Sequence, residues 1–284
     1  MFQLTNANYY SAEANRAYMS VSAYKCWLEC PSRWMAQYGT GEFSPVPTDA
    51  LALGSLFHTL VLEPELEQQT LEEHAEYLHT KSGKLTAGTE GIYAMSSFIQ
   101  KIPEIMQHLE GEHEVIVTGK IGGTNWKGKL DNINHEGIPG ICGGKPFFSD
   151  LKSAASLTKE TWVSRLGTHG NFIHTYNYGL QLAIYQELLR QKYGKDYVPV
   201  IVGCTKPTKT QPTPDVKAFV WTDKQALEFM LSDVRYDMTE VKKQVEVATY
   251  GRRCESSECE WCKRSRKQWV REIGAQPFNP YRAE

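Results

Sequence analysis

Apolar and polar positions follow two rhythms along this chain, and the change between them divides it. Residues 22–38 carry Tyr24, Trp27, Leu28, Trp34 and Met35 near helical spacing. That predicts a helix with Ser22 as N-cap and Pro31 as a break. Thr48-Asp49 opens a mostly apolar helix that ends near Pro64. Residues 63–87 are polar without a clear period, and 89–109 predict another helix interrupted near Pro103. After Gly111 the period shortens. The segments 113–123, 125–137 and 145–154 predict an antiparallel meander of three strands, with the Gly/Pro-rich insert 137–144 as a loop. Residues 158–167 and 173–194 predict helices, 197–206 and 216–221 two more strands, and 223–249 a charged amphipathic helix. This order predicts a mixed α/β (α+β) fold. It reads as an N-terminal helical part over 1–110, a core over 111–250, and a basic, cysteine-rich tail over 251–284 packed on the same domain.

Composition narrows the classes. A hydrophobic fraction of 41% over 284 residues is enough for a core and too much for a disordered chain. No apolar run approaches the roughly 18 residues a membrane span needs, and the opening MFQLTNANYY lacks the features of a signal peptide. A cytoplasmic protein is expected, in which the seven cysteines serve as free thiols or metal ligands rather than disulfides. A net charge of -2 argues against a uniformly basic coat but leaves room for a local basic groove.

The most informative chemistry lies in Gly128-Lys129-Leu130-Asp131 and in Asp150-Leu151-Lys152. On one strand Asp150 and Lys152 share a face, while Leu151 points into the core. Asp131, on the preceding strand, can face Asp150 across the pair. Two carboxylates so placed make a hard oxygen site for Mg²⁺ or Mn²⁺, and a neighbouring lysine can stabilise charge at a phosphate.

G-K-L-D followed by D-L-K resembles the PD-(D/E)xK nucleases, and more narrowly their RecB-like branch with the RecE (exodeoxyribonuclease VIII) type phage and prophage exonucleases. Gly54-Ser55-Leu56-Phe57-His58 matches that branch's G-x-x-x-H helix, and Gln181-Leu182-Ala183-Ile184-Tyr185 its Q-x-x-x-Y helix, all in the same order. The resemblance runs from about residue 20 to 265. It implies a restriction-endonuclease-like core, a central mixed β-sheet flanked by helices. It implies Asp131 and Asp150 as metal carboxylates, the main-chain carbonyl of Leu151 as a further ligand, and Lys152 as the catalytic lysine. His58 would bind the metal or position its water. Gln181 and Tyr185 would line the DNA groove or brace the acidic site. Glu114 has two readings, a second metal position or a solvated strand end. The implied activity is 5′ to 3′ resection of linear double-stranded DNA, with a single-strand annealing protein as partner and a closed homo-oligomer as assembly.

Cys254, Cys259 and Cys262 stand as C-x4-C-x2-C, with Cys30 or Cys26 as a candidate fourth ligand. Four thiolates suit an iron–sulfur cluster or zinc. Resemblance to the AddB subunit and CRISPR-adaptation nucleases implies a [4Fe–4S] cluster, although their usual spacing is C-x2-C-x5-C. Arg252, Arg253, Lys263, Arg264, Arg266, Lys267 and Arg271, with Trp261 and Trp269, form a candidate surface for DNA phosphates and bases. Two other readings compete: an iron–sulfur nuclease that trims single strands, and a non-catalytic DNA-binding protein with a structural metal.

Overall fold

A computed structural model describes residues 2–254 and 259–265. Two units, each with its own packing, make up the chain: Met1–Val46 with Asp237–Glu284, and Pro47–Tyr236.

In the first unit α1 (Ala12–Ala17), α2 (Val21–Glu29) and α3 (Pro31–Trp34) lead into a π-helical turn, Met35–Thr40. The N-cap of α2 is Ser20, not Ser22. Ser20 has extended backbone angles and its side chain accepts from the Ala23 N–H, which satisfies one of the orphan donors of the first turn. Pro31 does break the helix, and Cys30 then caps α3, its sulfur accepting from the Arg33 N–H. A turn of helix spans 260–265.

The second unit begins with α4 (Asp49–Leu62), α5 (Glu67–Glu73), α6 (Ala75–Leu78), α7 (Ala87–Ile99) and α8 (Pro103–Met106). Its strands are β1 (Glu112–Ile121), β2 (Thr124–Asn134), β3 (Phe147–Ala154), β4 (Thr161–Val163), β5 (Thr168–Gly170), β6 (Val198–Thr205) and β7 (Val216–Val220). Between β5 and β6 come α9 (Phe172–Thr175) and α10 (Tyr178–Tyr193), separated by Asn177 in the left-handed region. α11 (Lys224–Glu246) follows β7.

The sheet order is β1-β2-β3-β6-β7. β1, β2 and β3 are successively antiparallel, as the meander predicts, whereas β3 and β6 run parallel because α10 carries the chain back between them. The helix expected over 158–167 does not form as an α-helix; a single 3₁₀ turn, Ser164–Leu166, is the only helical piece there. Thr161-Trp162-Val163 pairs with Thr168–Gly170 as a small hairpin. The β-branched and aromatic trio favours a strand, and Gly167, at φ 62°, supplies the left-handed residue of the turn.

Adjacent residues of a strand point to opposite faces, and β3 uses both. Phe147 and Leu151 join a core cluster with Leu56 and Phe57 of α4 and with Ile92 and Met95 of α7. Phe148 instead makes an edge-to-face contact with Tyr185 of α10. So α4 and α10 cover opposite faces of the sheet. β2 and β3 are joined by the loop 135–146, where Gly137 has φ 81° and a Cβ there would stand 2.4 Å from the Gly144 carbonyl oxygen. Gly137→Ala is therefore expected to lower stability by about 1–3 kcal/mol, measured by chemical denaturation; an unchanged midpoint would contradict the strain assigned to this loop.

Candidate active site

The β2–β3 ladder ends at Asn132 and Ser149. The next pair in the same register would be Asp131 and Asp150, and there the strands part. Without ladder bonds the two carboxylates and the neighbouring backbone are free to reach sideways. The Leu151 N–H donates to Asp131 Oδ2 at 2.7 Å. His58, from α4, sets Nδ1 3.5 Å from Asp131 Oδ1. Gln181, from α10, donates through Nε2 to Asp150 Oδ1 at 2.7 Å. Lys152 Nζ lies 2.7 Å from Asp150 Oδ2 and 5.4 Å from the centre of the Tyr178 ring. The splayed end of one strand pair thus collects groups from both faces of the sheet.

Both carboxylates are buried, Asp131 at 8% exposure and Asp150 at 2%. Burial alone raises a carboxyl pKa, and at Asp150 it prevails: its pKa is raised by desolvation and by Asp131, with Lys152 opposing. At Asp131 the same desolvation is outweighed by His58, Lys152 and the Leu151 N–H, and the carboxyl is held below its usual range. Desolvation disfavours the charged Lys152, but the two aspartates overcome it and raise its pKa. His58 is likewise raised, because Asp131 offsets burial.

Glu114 belongs to this site. The β1–β2 register pairs His113 with Asn132 and Val115 with Leu130, so Glu114 stands opposite Asp131, at a gap in the ladder. Its φ of 54° is unusual for a non-glycine strand residue and marks a local distortion of the kind found at functional sites. The distortion brings its carboxylate, which also pairs with Lys129, into one group with His58 and Asp131, their ligand atoms all within 4.8 Å of one another. A left-handed strand residue leaves no mark in sequence periodicity. Tyr178 was also not legible, since it sits one turn before Gln181 and reads as part of the helix start.

Tyr185 lies one turn after Gln181 on α10. Its ring packs on Phe148 and lies where a Cβ on Gly128 would stand 2.9 Å from it. The glycine of G-K-L-D thus gives α10 its close approach to β2.

Could these residues hold a divalent ion? The donor set is oxygen-rich with one imidazole, which suits Mg²⁺ or Mn²⁺. Asp150 Oδ2 meets the Lys152 ammonium but, among the described residues, accepts no aligned hydrogen bond. Such a buried carboxylate oxygen has spare acceptor capacity for a cation. The residues fit.

A family model described as "PDDEXK-like domain of unknown function (DUF3799)" matches residues 20–265. The chain belongs to this PDDEXK-like family. A crystal structure from Eubacterium rectale, of a protein named "Putative exonuclease", is 30% identical to it with a TM-score of 0.79, over 93% of this chain and 94% of that one. No curated protein matches. The restriction-endonuclease-like fold is thereby shown, its central mixed sheet flanked by helices. Among the described residues no helix is long and apolar enough to cross a membrane.

Cys30, between α2 and α3, comes together with Cys254, Cys259 and Cys262 of the tail, their sulfurs within 4.8 Å of one another. Cys26 is engaged elsewhere, accepting from Arg33 Nε at 3.2 Å. The tail surface expected to meet DNA is altered. Trp261 is buried, stacks on Tyr250 and donates to Ser32 Oγ, so it presents no face to a base. Arg253 donates to the Cys262 carbonyl. Arg252, Lys263 and Arg264 are exposed, and Arg266, Lys267, Trp269 and Arg271 lie outside the described residues.

Removing the Gln181 amide should loosen Asp150 without dismantling the fold. Gln181→Leu is expected to weaken Mn²⁺ binding about 10–100-fold, read by calorimetric titration; equal affinity in variant and wild type would end its assignment as a positioning residue.

Proposed function

We propose that the protein is a metal-dependent DNA exonuclease that hydrolyses phosphodiester bonds. The observation that carries this reading is the pair of carboxylates, Asp131 and Asp150, buried where β2 and β3 part in a PDDEXK-like domain, beside the Lys152 ammonium. Asp131 and Asp150 would hold Mg²⁺ or Mn²⁺, with the Leu151 main-chain carbonyl and His58 completing the set and Glu114 beside them. A divalent ion bound there would supply Lewis-acid charge at the phosphate and lower the pKa of a water for attack.

The protein's own residues prepare the rest. Asp131 stays ionised because His58, Lys152 and the Leu151 N–H outweigh its desolvation. Lys152 stays protonated between the aspartates and can donate to charge that develops on a phosphoryl oxygen. Gln181 fixes the orientation of the Asp150 carboxylate through Oδ1. Tyr185 and Gly128 lock α10 against β2. This order precedes substrate binding, so little reorganisation is left for the reaction itself.

The finer reading rests on the resemblance to RecE-type enzymes. It is 5′ to 3′ resection of double-stranded ends in a bacterial or phage-infected cytoplasm. The resulting 3′ overhang would pass to a single-strand annealing protein, and a closed homo-oligomer would encircle the DNA. The similar solved protein carries an exonuclease name, which supports end-dependent rather than internal cleavage.

End-labelled linear DNA and covalently closed circles, incubated with Mg²⁺ or EDTA, test the reading. Linear DNA should be degraded and circles spared, EDTA should abolish the activity, and Asp150→Ala and Lys152→Ala should each lower it by about 10²-fold or more. Full activity in both variants would remove the site assignment, and cleavage of the circles would make the protein an endonuclease.

A further inference from the structure

Four of the five cysteines of the first unit, Cys30, Cys254, Cys259 and Cys262, form a cluster that the nuclease reading does not use. Cys30 Sγ is 3.7 Å from Cys262 Sγ and 3.8 Å from Cys259 Sγ, and Cys254 Sγ is 3.7 Å from Cys262 Sγ. A disulfide requires sulfurs about 2.05 Å apart, and no disulfide joins any of these cysteines. Four thiolates around one ion, each about 2.3 Å from it, stand about 3.8 Å from one another at the corners of a tetrahedron. In a four-iron cubane each thiolate binds a different iron, which holds the sulfurs roughly 6 Å apart. The observed spacings match the first arrangement and are too short for the second, so the [4Fe–4S] expectation does not fit.

The surroundings are those of a bound thiolate set. Cys30 is fully buried, and its sulfur accepts from two backbone N–H groups, Arg33 at 3.4 Å and Cys254 at 3.2 Å. Paired N–H donors stabilise sulfur in its charged form. Phe43, Ala36 and Trp261 pack against the cluster and shield it. The Ser32 N–H donates to the Arg252 carbonyl, which ties the approach to Cys254 to α3. Cys26, held by Arg33, stands outside the set.

We propose that Cys30, Cys254, Cys259 and Cys262 bind a single zinc ion in a closed, structural site. Four protein sulfurs leave no open position for substrate or water. The ion would cross-link the start of α3 to the far end of the chain, so its binding energy contributes directly to folding of this unit. This inference is independent of the nuclease reading.

The test is metal content, not activity. The full chain is purified anaerobically from cells supplied with both iron and zinc, then assayed for zinc, iron and acid-labile sulfide. The expected result is a colourless protein with equimolar zinc, released in step with blocking of thiols by a mercurial. Cys26→Ser should keep the zinc, and Cys262→Ser should lose at least about nine-tenths of it. If Cys262→Ser does not fold, mercurial release from the wild type still decides the matter. Bound iron with visible absorption, absence of both metals, or loss of zinc from Cys26→Ser would overturn the proposal.

Discussion

Two carboxylates buried side by side set the terms for the catalytic unit. Charges of one sign this close and this far from water are unfavourable unless they are paired, hydrogen-bonded or shared with a cation. Every feature around Asp131 and Asp150 answers that problem. Lys152 supplies one positive charge at 2.7 Å, the Leu151 N–H and the Gln181 amide supply donors, and His58 stands against Asp131. Asp150 Oδ2 meets only the Lys152 ammonium among the described residues and keeps acceptor capacity. Spare acceptor capacity on a buried carboxylate beside a second one has the form of a cation receptor.

The fold makes this possible by ending a ladder early. While β2 and β3 are paired, their backbone groups bond to each other. Two residues beyond Ser149, the Leu151 amide turns to a side chain instead. The energy for holding this open end comes from packing. Leu151 is fully buried in the cluster with α4 and α7, and Phe148 meets Tyr185 on the other face. His58 and Gln181 ride on the helices that these contacts fix, so apolar packing positions the polar groups. Glu114 adds a second distortion, in β1 directly opposite Asp131.

Much of this was legible in the sequence, because strand period and motif spacing are local properties. Asp150 and Lys152, two apart around an apolar Leu151, declare their shared face, and an amide such as Gln181 among apolar residues announces a buried partner. What was not legible depended on backbone geometry or on long-range choice. The positive φ of Glu114 leaves no pattern. Spacing could not choose Cys30 over Cys26, because Arg33, one helical turn further on, decides which sulfur is engaged. In residues 158–167 mixed charge hides a three-residue strand pair, although Gly167 marks the turn. Trp261 looked available to bases because its tail is basic, and only packing against Tyr250 and Phe43 shows it buried.

The central claim is that Asp131 and Asp150 jointly bind a divalent cation. Anomalous diffraction at the manganese edge, from crystals soaked in Mn²⁺, tests this most directly. The account predicts a peak within coordination distance of an oxygen from each carboxylate, and loss of that peak in Asp150→Asn crystals. A wild-type map with no peak between these residues, or with Mn²⁺ bound only elsewhere, would contradict it.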